Sequence, residues 1–485
     1  MEIKLTNIFP SLLDDNRLGN ITAKGISDDT RFVRQGDIFF VKERKGFDIF
    51  PILSHIQDKV AVFVAEGRNE KKFASLTIDK PVIFVKDVQE EFFRAIDTFY
   101  PCNKNDFSFI GITGTKGKTT TAYLIYHLLK QFGKNVSLIG TINYIIGNKV
   151  YKAKNTTPDY FSLVKMLKSA KDKKRAYVVM EVSSHGINQK RVKNIAFSRC
   201  VFTNLSREHL DYHKTMESYF KVKKSFFMEN KDAIAVINID DPYGEKIAGC
   251  SKRRITYGFS PQADLRATNI NLNRKGLYFE LVYNTAHFFV KSSLLGRHNV
   301  SNILAAIGVL ISLGFPLKKT INFMSSFRGV EGRLEEVSPS VFVDYAHTPD
   351  SLEKALYAVK DVGYEKVICV FGCGGNRDHG KRGPMGRIAS SLADFTFITS
   401  DNPRNENPLD ICRQIERGFK KKNYSVNVDR KEAIRNALRL KNRYTNCCLL
   451  IAGKGHEDYQ IIGNTKMHFK DKKIIKKLIK NNKIL

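Results

Sequence analysis

The segment running from Gly111 to Thr120 constrains this chain more than any other. An apolar run from Phe107 to Ile112 leads into it, and an apolar-periodic stretch from Ala122 to Leu129 leaves it. That order predicts a strand, a glycine-rich turn and a helix, the context a phosphate-binding loop requires. Gly114 and Gly117 let backbone N–H groups close around phosphate oxygens, and the helix N-terminus adds partial positive charge. Lys118 is then placed for the terminal phosphates and the Thr119 hydroxyl for Mg²⁺. Position 112 is Ile, so the usual G-x-x-x-x-G-K-[ST] spacing is not met; the match is Gly114, Gly117, Lys118 and Thr119. A plain strand-to-helix turn is the blander reading, but glycines, lysine and two threonines between those elements favour a nucleoside triphosphate.

Composition bounds the rest. The chain of 485 residues has room for about two to four domains. Its 42% hydrophobic and 27% charged residues are those of a soluble globular protein. With 80 Lys and Arg against 49 Asp and Glu, the net charge is +31, which raises the question of nucleic acid. The lysines are scattered over every segment, however, and no RNA motif or zinc-finger spacing is present. No nucleic-acid partner is expected; the surplus reads as a diffuse field that assists anionic substrates. The eight cysteines, Cys102 among them, form no C-x-x-C pair, which suits a reducing compartment. The N-terminal residues lack a basic patch followed by an apolar core, and no run of 18 apolar residues occurs. The expectation is a cytoplasmic monomer with no membrane segment.

Short apolar runs alternate with helical patterns, which predicts an α/β fold with mostly parallel sheets. Strands are expected at Asp37–Val41, Val60–Val64 and Val82–Val85, then at Val136–Ile139, Tyr177–Val182, Cys200–Asn204 and Ala233–Ile237. A hairpin is expected through Leu277–Val282 and His287–Lys291, and a helix from Asn299 to Leu313. Gly329 to Arg333 reads as a hinge. Beyond it, strands at Val341–Asp344, Val367–Phe371, Phe395–Thr399 and Cys448–Ala452 each run into polar or glycine-rich residues, where open α/β sheets bind ligands. The tail from Asp471 to Lys483 reads as a basic amphipathic helix with a solvated face.

Glu181 ends an apolar strand, where a carboxylate beside a phosphate loop can bind the nucleotide's metal; a helix cap or surface acid is the alternative. His209 and His213 are four apart, so on a helix they share a face. His209 follows a strand end in the same block, which favours a metal role, whereas no cysteine or further histidine completes a zinc set. In the third block, Arg377, Arg404 and Glu457 stand in three loops after three strands. Such loops fit a ligand carrying both carboxylate and ammonium groups.

Together these residues resemble the Mur ligases over nearly the whole chain. Asp29 to Arg31, with Gly36 to Phe40, resembles that family's nucleotide-sugar domain. Gly114 to Thr120, Asn155 to Pro158, Glu181 to Gly186 and Asn204 to His213 resemble its ATPase domain, and Leu295 to Asn302 its adenine-side segment. Asp344 to Pro349 and the three loops resemble its amino-acid-binding domain. The resemblance implies three domains: 1–105 for the UDP-sugar, 106–332 as a central P-loop ATPase, and 333–485 as a Rossmann-like amino-acid domain. It assigns ATP to Gly114, Thr115, Lys116, Gly117, Lys118, Thr119, Thr120, Asn299, Asn302 and Arg333. The UDP-muramoyl dipeptide goes to Thr30, Asn155, Thr156, Thr157, Ser183, Gln189 and Arg191. The amino acid goes to Arg377, Asp401, Asn402, Pro403, Arg404, Gly453 and Glu457. Mg²⁺ goes to Thr119, Glu181, His209 and Lys223 as a carbamate, with Lys118, Glu181, His209 and Lys223 catalytic. Lys221 and Lys224 are the alternatives to Lys223. Thr30 stands where the family commonly has Ser, and Lys116 where it often has Asn.

The activity implied is ADP-forming amide ligation in peptidoglycan synthesis. ATP phosphorylates the D-glutamyl carboxylate of the muramoyl dipeptide, and the amine of the third amino acid then attacks. Asp401 to Arg404, followed by Glu406 and Pro408, resembles the loop of enzymes selecting meso-2,6-diaminopimelate; L-ornithine, L-lysine and lanthionine are the alternatives. Folylpolyglutamate synthases and cyanophycin-type ligases share the central domain but not Asp29 to Phe40 or Asp401 to Arg404. A nucleic-acid-stimulated NTPase is the reading from another class, and it rests on charge alone.

Overall fold

The computed structural model describes residues 2–13, 17–43, 46–101, 106–169 and 176–480. Cys102, residue 105 and the tail beyond 480 lie outside the described residues.

Three sheets carry the fold. The first has four parallel strands in the order Gly25–Ser27, Asp37–Phe40, Val60–Glu66 and Val82–Val85. Asp37–Phe40 is buried at every position, as a parallel strand covered on both faces must be. The helix Val88–Phe99, capped by the Asp87 carboxylate, lays Phe92, Phe93 and Ile96 against this sheet and against Phe109, Tyr160 and Leu163 of the next block. The first and second sheets therefore share a core.

The second sheet has eleven strands. Its parallel centre runs Val136–Ile139, Ala176–Glu181, Phe107–Thr113, Phe197–Phe202, Ile234–Asn238, Arg254–Gly258 and Leu265–Asn273. Antiparallel strands extend both edges: Asn143–Ile146 with Lys149–Lys152 on one, Gly276–Tyr283 with Ala286–Ser292 on the other. The phosphate-loop strand Phe107–Thr113 is thus central, beside the strand that ends in Glu181. Helices Lys118–Gln131 and His298–Ser312 cover one face of the sheet. His298–Ser312 buries most of its surface, from Val300 to Leu310, so it is apolar nearly all round.

The third sheet has six strands in the order Glu335–Ser338, Val341–Asp344, Cys447–Ala452, Lys366–Phe371, Phe395–Ile398 and Tyr424–Val426. All but the first pair are parallel. Helices from Pro349–Lys360, Arg382–Leu392 and Pro408–Glu416 pack on one face, and Arg430–Lys441 with Asp471–Lys480 on the other, giving a Rossmann-like layer structure. In Asp471–Lys480 the Asp471 carboxylate is fully buried against the Arg430 guanidinium at 2.8 Å, while its lysines line the outer face.

Several strands went unanticipated. Lys149–Lys152 is exposed at all four positions, so it lacks the alternation that marks a half-buried strand. Arg254–Gly258 and the small hairpin Tyr459–Ile462 with Thr465–His468 mix polar and apolar residues without a regular alternation of burial. Leu265–Asn273 does begin with one, Leu265 and Ala267 being buried, but its asparagines, poor strand formers, obscure it. His209 and His213 do not share a long helix either. The helix there is a single turn, Leu210–His213, and His209 precedes it with φ +58°.

Candidate active site

A cavity of about 370 Å³ lies between the carboxyl ends of the central strands and the third sheet. The phosphate loop from Thr115 to Thr120, Glu181, His209 and Asn302 line one side, and Arg333, Asp344, Tyr345 and His347 line the other. Two glycines make the loop possible. Gly114 has φ +144°, and a Cβ there would stand 1.9 Å from Thr203 Oγ1. At Gly117, with φ +85°, a Cβ would meet Asn302 Oδ1 at 2.4 Å. The segment after Phe197–Phe202 braces the loop from below: Thr115 N donates to Asn204 O at 2.8 Å, and Lys116 N to Asn204 Oδ1 at 2.9 Å. Lys118 Nζ donates to the carbonyls of Gly114 and Thr115, each at 2.8 Å. Thr120 is buried in the first turn of the helix Lys118–Gln131, on the cavity wall.

Glu181 is fully buried at the end of its strand. Its carboxylate accepts from Thr119 Oγ1 at 3.0 Å, Thr141 N at 2.8 Å and Thr141 Oγ1 at 2.9 Å. Arg333 Nη2 reaches Thr119 Oγ1 at 3.4 Å from the third block, and its Nε is buried without a partner. Asn299 and Asn302 are buried and linked, Asn302 Nδ2 donating to Asn299 Oδ1 at 2.8 Å.

Charges in the cavity tune one another. Burial pushes the Lys118 ammonium down, against the pull of Glu208 and Glu181. Burial works against ionised Glu208, yet Lys116 and Lys118 carry its carboxyl down to about 2. Lys116 Nζ lies 3.0 Å from Glu208 and 3.4 Å from Thr348 Oγ1, so a side chain of the loop touches the third block. Burial holds His209 down to about 4, leaving a neutral imidazole that can ligate. His213 is spent elsewhere: its Nε2 pairs with Ser184 Oγ at 2.9 Å and its ring stacks on Tyr219 at 4.9 Å.

Of Lys221, Lys223 and Lys224, Lys223 is the buried one. Its Nζ donates to Gly114 O at 2.9 Å and approaches Thr113 Oγ1 at 3.4 Å, directly behind the phosphate loop. Burial, reinforced by Lys118, holds this amine far below the ordinary lysine range.

The residues assigned to the dipeptide divide. Thr156 lines the cavity, with its hydroxyl 3.1 Å from that of Thr141. Thr157 Oγ1 donates to Glu181 O at 2.9 Å and accepts from Ser183 N at 2.9 Å; Ser183 Oγ caps the helix Ser184–Asn188. Arg191 donates to Thr157 O at 2.8 Å and to Gln189 Oε1 at 2.6 Å, and Asn155 O accepts from Tyr144 OH at 2.5 Å. These residues form one connected patch beside Glu181. Thr30 belongs to the first sheet's loops and does not line the cavity.

The three strand-end loops of the third sheet meet in a second cluster, outside that cavity. Gly375 N donates to Asn402 O at 2.9 Å, and a Cβ on Gly375 would lie 1.9 Å from Pro403 O. Arg404, at φ +53°, donates through Nη1 to Gly375 O at 2.8 Å. Asn402 Nδ2 donates to Glu457 Oε2 at 3.0 Å. Gly453 has φ +111°, and a Cβ there would come within 2.7 Å of Asp401 Oδ2. Arg377 is exposed at the rim. Two buried cations that the sequence reading did not single out support the cluster: Arg382, which holds Glu406 at 2.9 Å, and Lys454, 3.1 Å from Glu457. Hydrogen bonds from Arg382, against the cost of desolvation, keep the Glu406 carboxyl down to about 2. Asp344, Tyr345 and His347, expected with the amino-acid domain's segment, and Glu208, expected within the ATPase segment, also line the first cavity, though none of them was named as a site residue. Their strand-end positions were the available signal.

Residues 112–310 match the Mur ligase middle domain, and residues 332–455 match the Mur ligase glutamate ligase domain. The chain is 38% identical over 468 residues to UDP-N-acetylmuramoyl-L-alanyl-D-glutamate–2,6-diaminopimelate ligase 1 of Clostridium acetobutylicum, covering 95% of each chain. It is 40% identical over 467 residues to the ligase of that name from Gloeobacter violaceus, covering 95% of this chain and 94% of the relative. A solved structure titled as a UDP-N-acetylmuramoyl-L-alanyl-D-glutamate–2,6-diaminopimelate ligase superposes with a TM-score of 0.68 at 28% identity, covering 100% of both chains. With the phosphate loop, the buried Glu181 and the Rossmann-like third sheet in that arrangement, this chain belongs to the Mur ligase family of ATP-dependent ligases.

Proposed function

We propose that this protein joins meso-2,6-diaminopimelate to UDP-N-acetylmuramoyl-L-alanyl-D-glutamate, with ATP converted to ADP and phosphate, as a monomer in the cytoplasm. One observation carries the choice of amino acid: three strand-end loops converge on Asn402, Arg404 and Glu457, in a chain whose relatives over 95% of its length bear that substrate in their names. Diaminopimelate has a second carboxylate and ammonium at its far end. Arg404 offers a planar donor for the carboxylate, and Glu457 with the Gly453 carbonyl offers acceptors for the ammonium.

In the reaction, an oxygen of the D-glutamyl carboxylate attacks the γ-phosphorus, and the bond to the ADP oxygen breaks. The resulting acyl phosphate is attacked by the amine of the amino acid. A tetrahedral intermediate collapses with loss of phosphate and of the amine proton. Gly114 to Thr120 would hold the phosphate chain by backbone N–H groups, with Lys118 on its terminal oxygens. Asn299, Asn302 and Arg333 would hold the nucleoside side. Ser183, Gln189, Arg191 and Asn155 to Thr157 would align the dipeptide, and Thr30 its uridine end. Keeping the reactants in line supplies much of the rate.

The donor set suits Mg²⁺. Thr119 and Glu181 offer hard oxygens 3.0 Å apart, with neutral His209 on the same cavity wall. No group of three His, Cys, Asp or Glu stands together among the described residues. That fits an ion held largely by the phosphates of its substrate. Mg²⁺ would neutralise charge on phosphoryl transfer. Lys223 has a buried amine whose ammonium form burial disfavours, the direction carbamate formation needs, and as a carbamate it would add an anionic ligand.

The test is kcat/KM for meso-diaminopimelate, L-lysine, L-ornithine and lanthionine in wild type and Arg404→Ala. Wild type is expected to favour diaminopimelate, by up to roughly 10⁴-fold where a buried polar group is left unpaired by the wrong substrate. Arg404→Ala is expected to erase much of that preference. A wild-type preference for lysine or ornithine overturns the amino-acid assignment.

A further inference from the structure

The loop after the Cys447–Ala452 strand turns a lysine inward. Lys454 is completely buried, and the glycines on either side, Gly453 and Gly455, hold φ of +111° and +52°. A Cβ on Gly455 would stand 2.6 Å from Tyr345 Cβ, so the loop reaches this depth only with glycine there. An ammonium removed from water is costly unless its donors are matched. Here Nζ lies 3.1 Å from Glu457 Oε2 and 3.3 Å from Asn402 Oδ1. Asn402 Nδ2 donates to that same Glu457 oxygen at 3.0 Å, closing a triangle of three side chains. Asn402 Oδ1 also accepts from Ile461 N at 3.0 Å, which anchors the triangle to the neighbouring strand. Glu457 is thereby fixed through Oε2, and Oε1 faces the Tyr459 hydroxyl at 3.4 Å.

We propose that Lys454 is a positioning residue for the amino-acid substrate. It sets the rotamer of Glu457 and ties it to Asn402, so that Glu457 presents Oε1 to the ammonium of the bound diamino acid. Lys454 does not line the nucleotide cavity, so its effect separates from ATP binding. The inference rests on the ligase reading above.

Steady-state ligation by the full-length protein tests it, varying each substrate in turn with the others saturating. In Lys454→Met the KM for the diamino acid is expected to rise by about 30-fold or more, as when one partner of a buried charge pair is removed. The KM for ATP and for UDP-muramoyl dipeptide should stay within about twofold, since neither site is touched. Lys454→Gln keeps a donor without the charge and should lie between wild type and Lys454→Met; it decides the matter if Lys454→Met fails to fold. An unchanged amino-acid KM, or a rise shared by all three substrates, overturns the proposal. A wild-type protein that ligates none of the four amino acids overturns the ligase reading instead.

Discussion

Glu181 joins the phosphate loop at Thr119 to the strand-end turn at Thr141 through one fully buried carboxylate. Glu181→Gln preserves the shape and removes the charge, so the fold should survive while phosphoryl transfer does not. ADP release is expected to fall by roughly 10²-fold or more, with an unchanged circular dichroism spectrum. Near-normal turnover would remove Glu181 from the metal site. Lys223 makes a sharper case, because its buried amine donates to Gly114 O at 2.9 Å and sits behind the loop without reaching the cavity. Lys223→Ala should be inactive and regain part of its rate with a small added carboxylate. Intact mass in bicarbonate buffer should show added CO₂ on wild type and none on the variant.

At the scale of elements, the phosphate loop was legible because an apolar run, two glycines and an amphipathic stretch follow one another. The same holds for the strand ends that carry Glu181, Asp401 and Gly453. What escaped was tertiary. Arg382, Arg430 and Lys454 are buried cations, yet their partners Glu406, Asp471 and Glu457 lie 24, 41 and 3 residues away. Only the fold reveals the first two pairings, and the third reads locally as a surface pair. The spacing of His209 and His213 suggested one helical face; the backbone turns at His209 instead, and His213 serves packing. The loop's dependence on glycine is testable. Gly114→Ala puts a Cβ 1.9 Å from Thr203 Oγ1 at φ +144°, so nucleotide affinity should drop by about 10-fold or more. Gly67→Ala, with nothing within 4 Å, is the control expected to bind as wild type in calorimetry.

Across the whole molecule, the cavity exists because the second and third sheets face each other, and a few polar contacts hold them there. Lys116 touches Thr348 at 3.4 Å, Lys152 pairs with Asp458 at 2.7 Å, and the Arg274 guanidinium stacks over Tyr364 at 4.4 Å. Closure of these blocks is what would keep water from an acyl phosphate. Burial holds His347, on the cavity wall, down to about 4, and His456, packed on Tyr345, down to about 3, against an ordinary 6.5. Both are neutral in the fold, whereas the unfolded chain takes up protons at 6.5. Their contribution to stability is present above that pH and is lost as pH falls toward 4. Glu406, held at about 2 rather than 4.5, adds a second loss below pH 4.5. The melting temperature should therefore begin to fall between pH 6.5 and 5, before Glu406 titrates. A flat profile down to pH 5 contradicts this.

Ligation itself is the claim on which the rest depends. The direct measurement is mass spectrometry of the product formed from ATP, UDP-N-acetylmuramoyl-L-alanyl-D-glutamate and meso-diaminopimelate, with ADP counted in the same reaction. The expected result is the UDP-muramoyl tripeptide and ADP in equal amounts, with neither formed when any one substrate is left out. ATP hydrolysis that proceeds without amide formation, or that rises with RNA in place of the dipeptide, would contradict it.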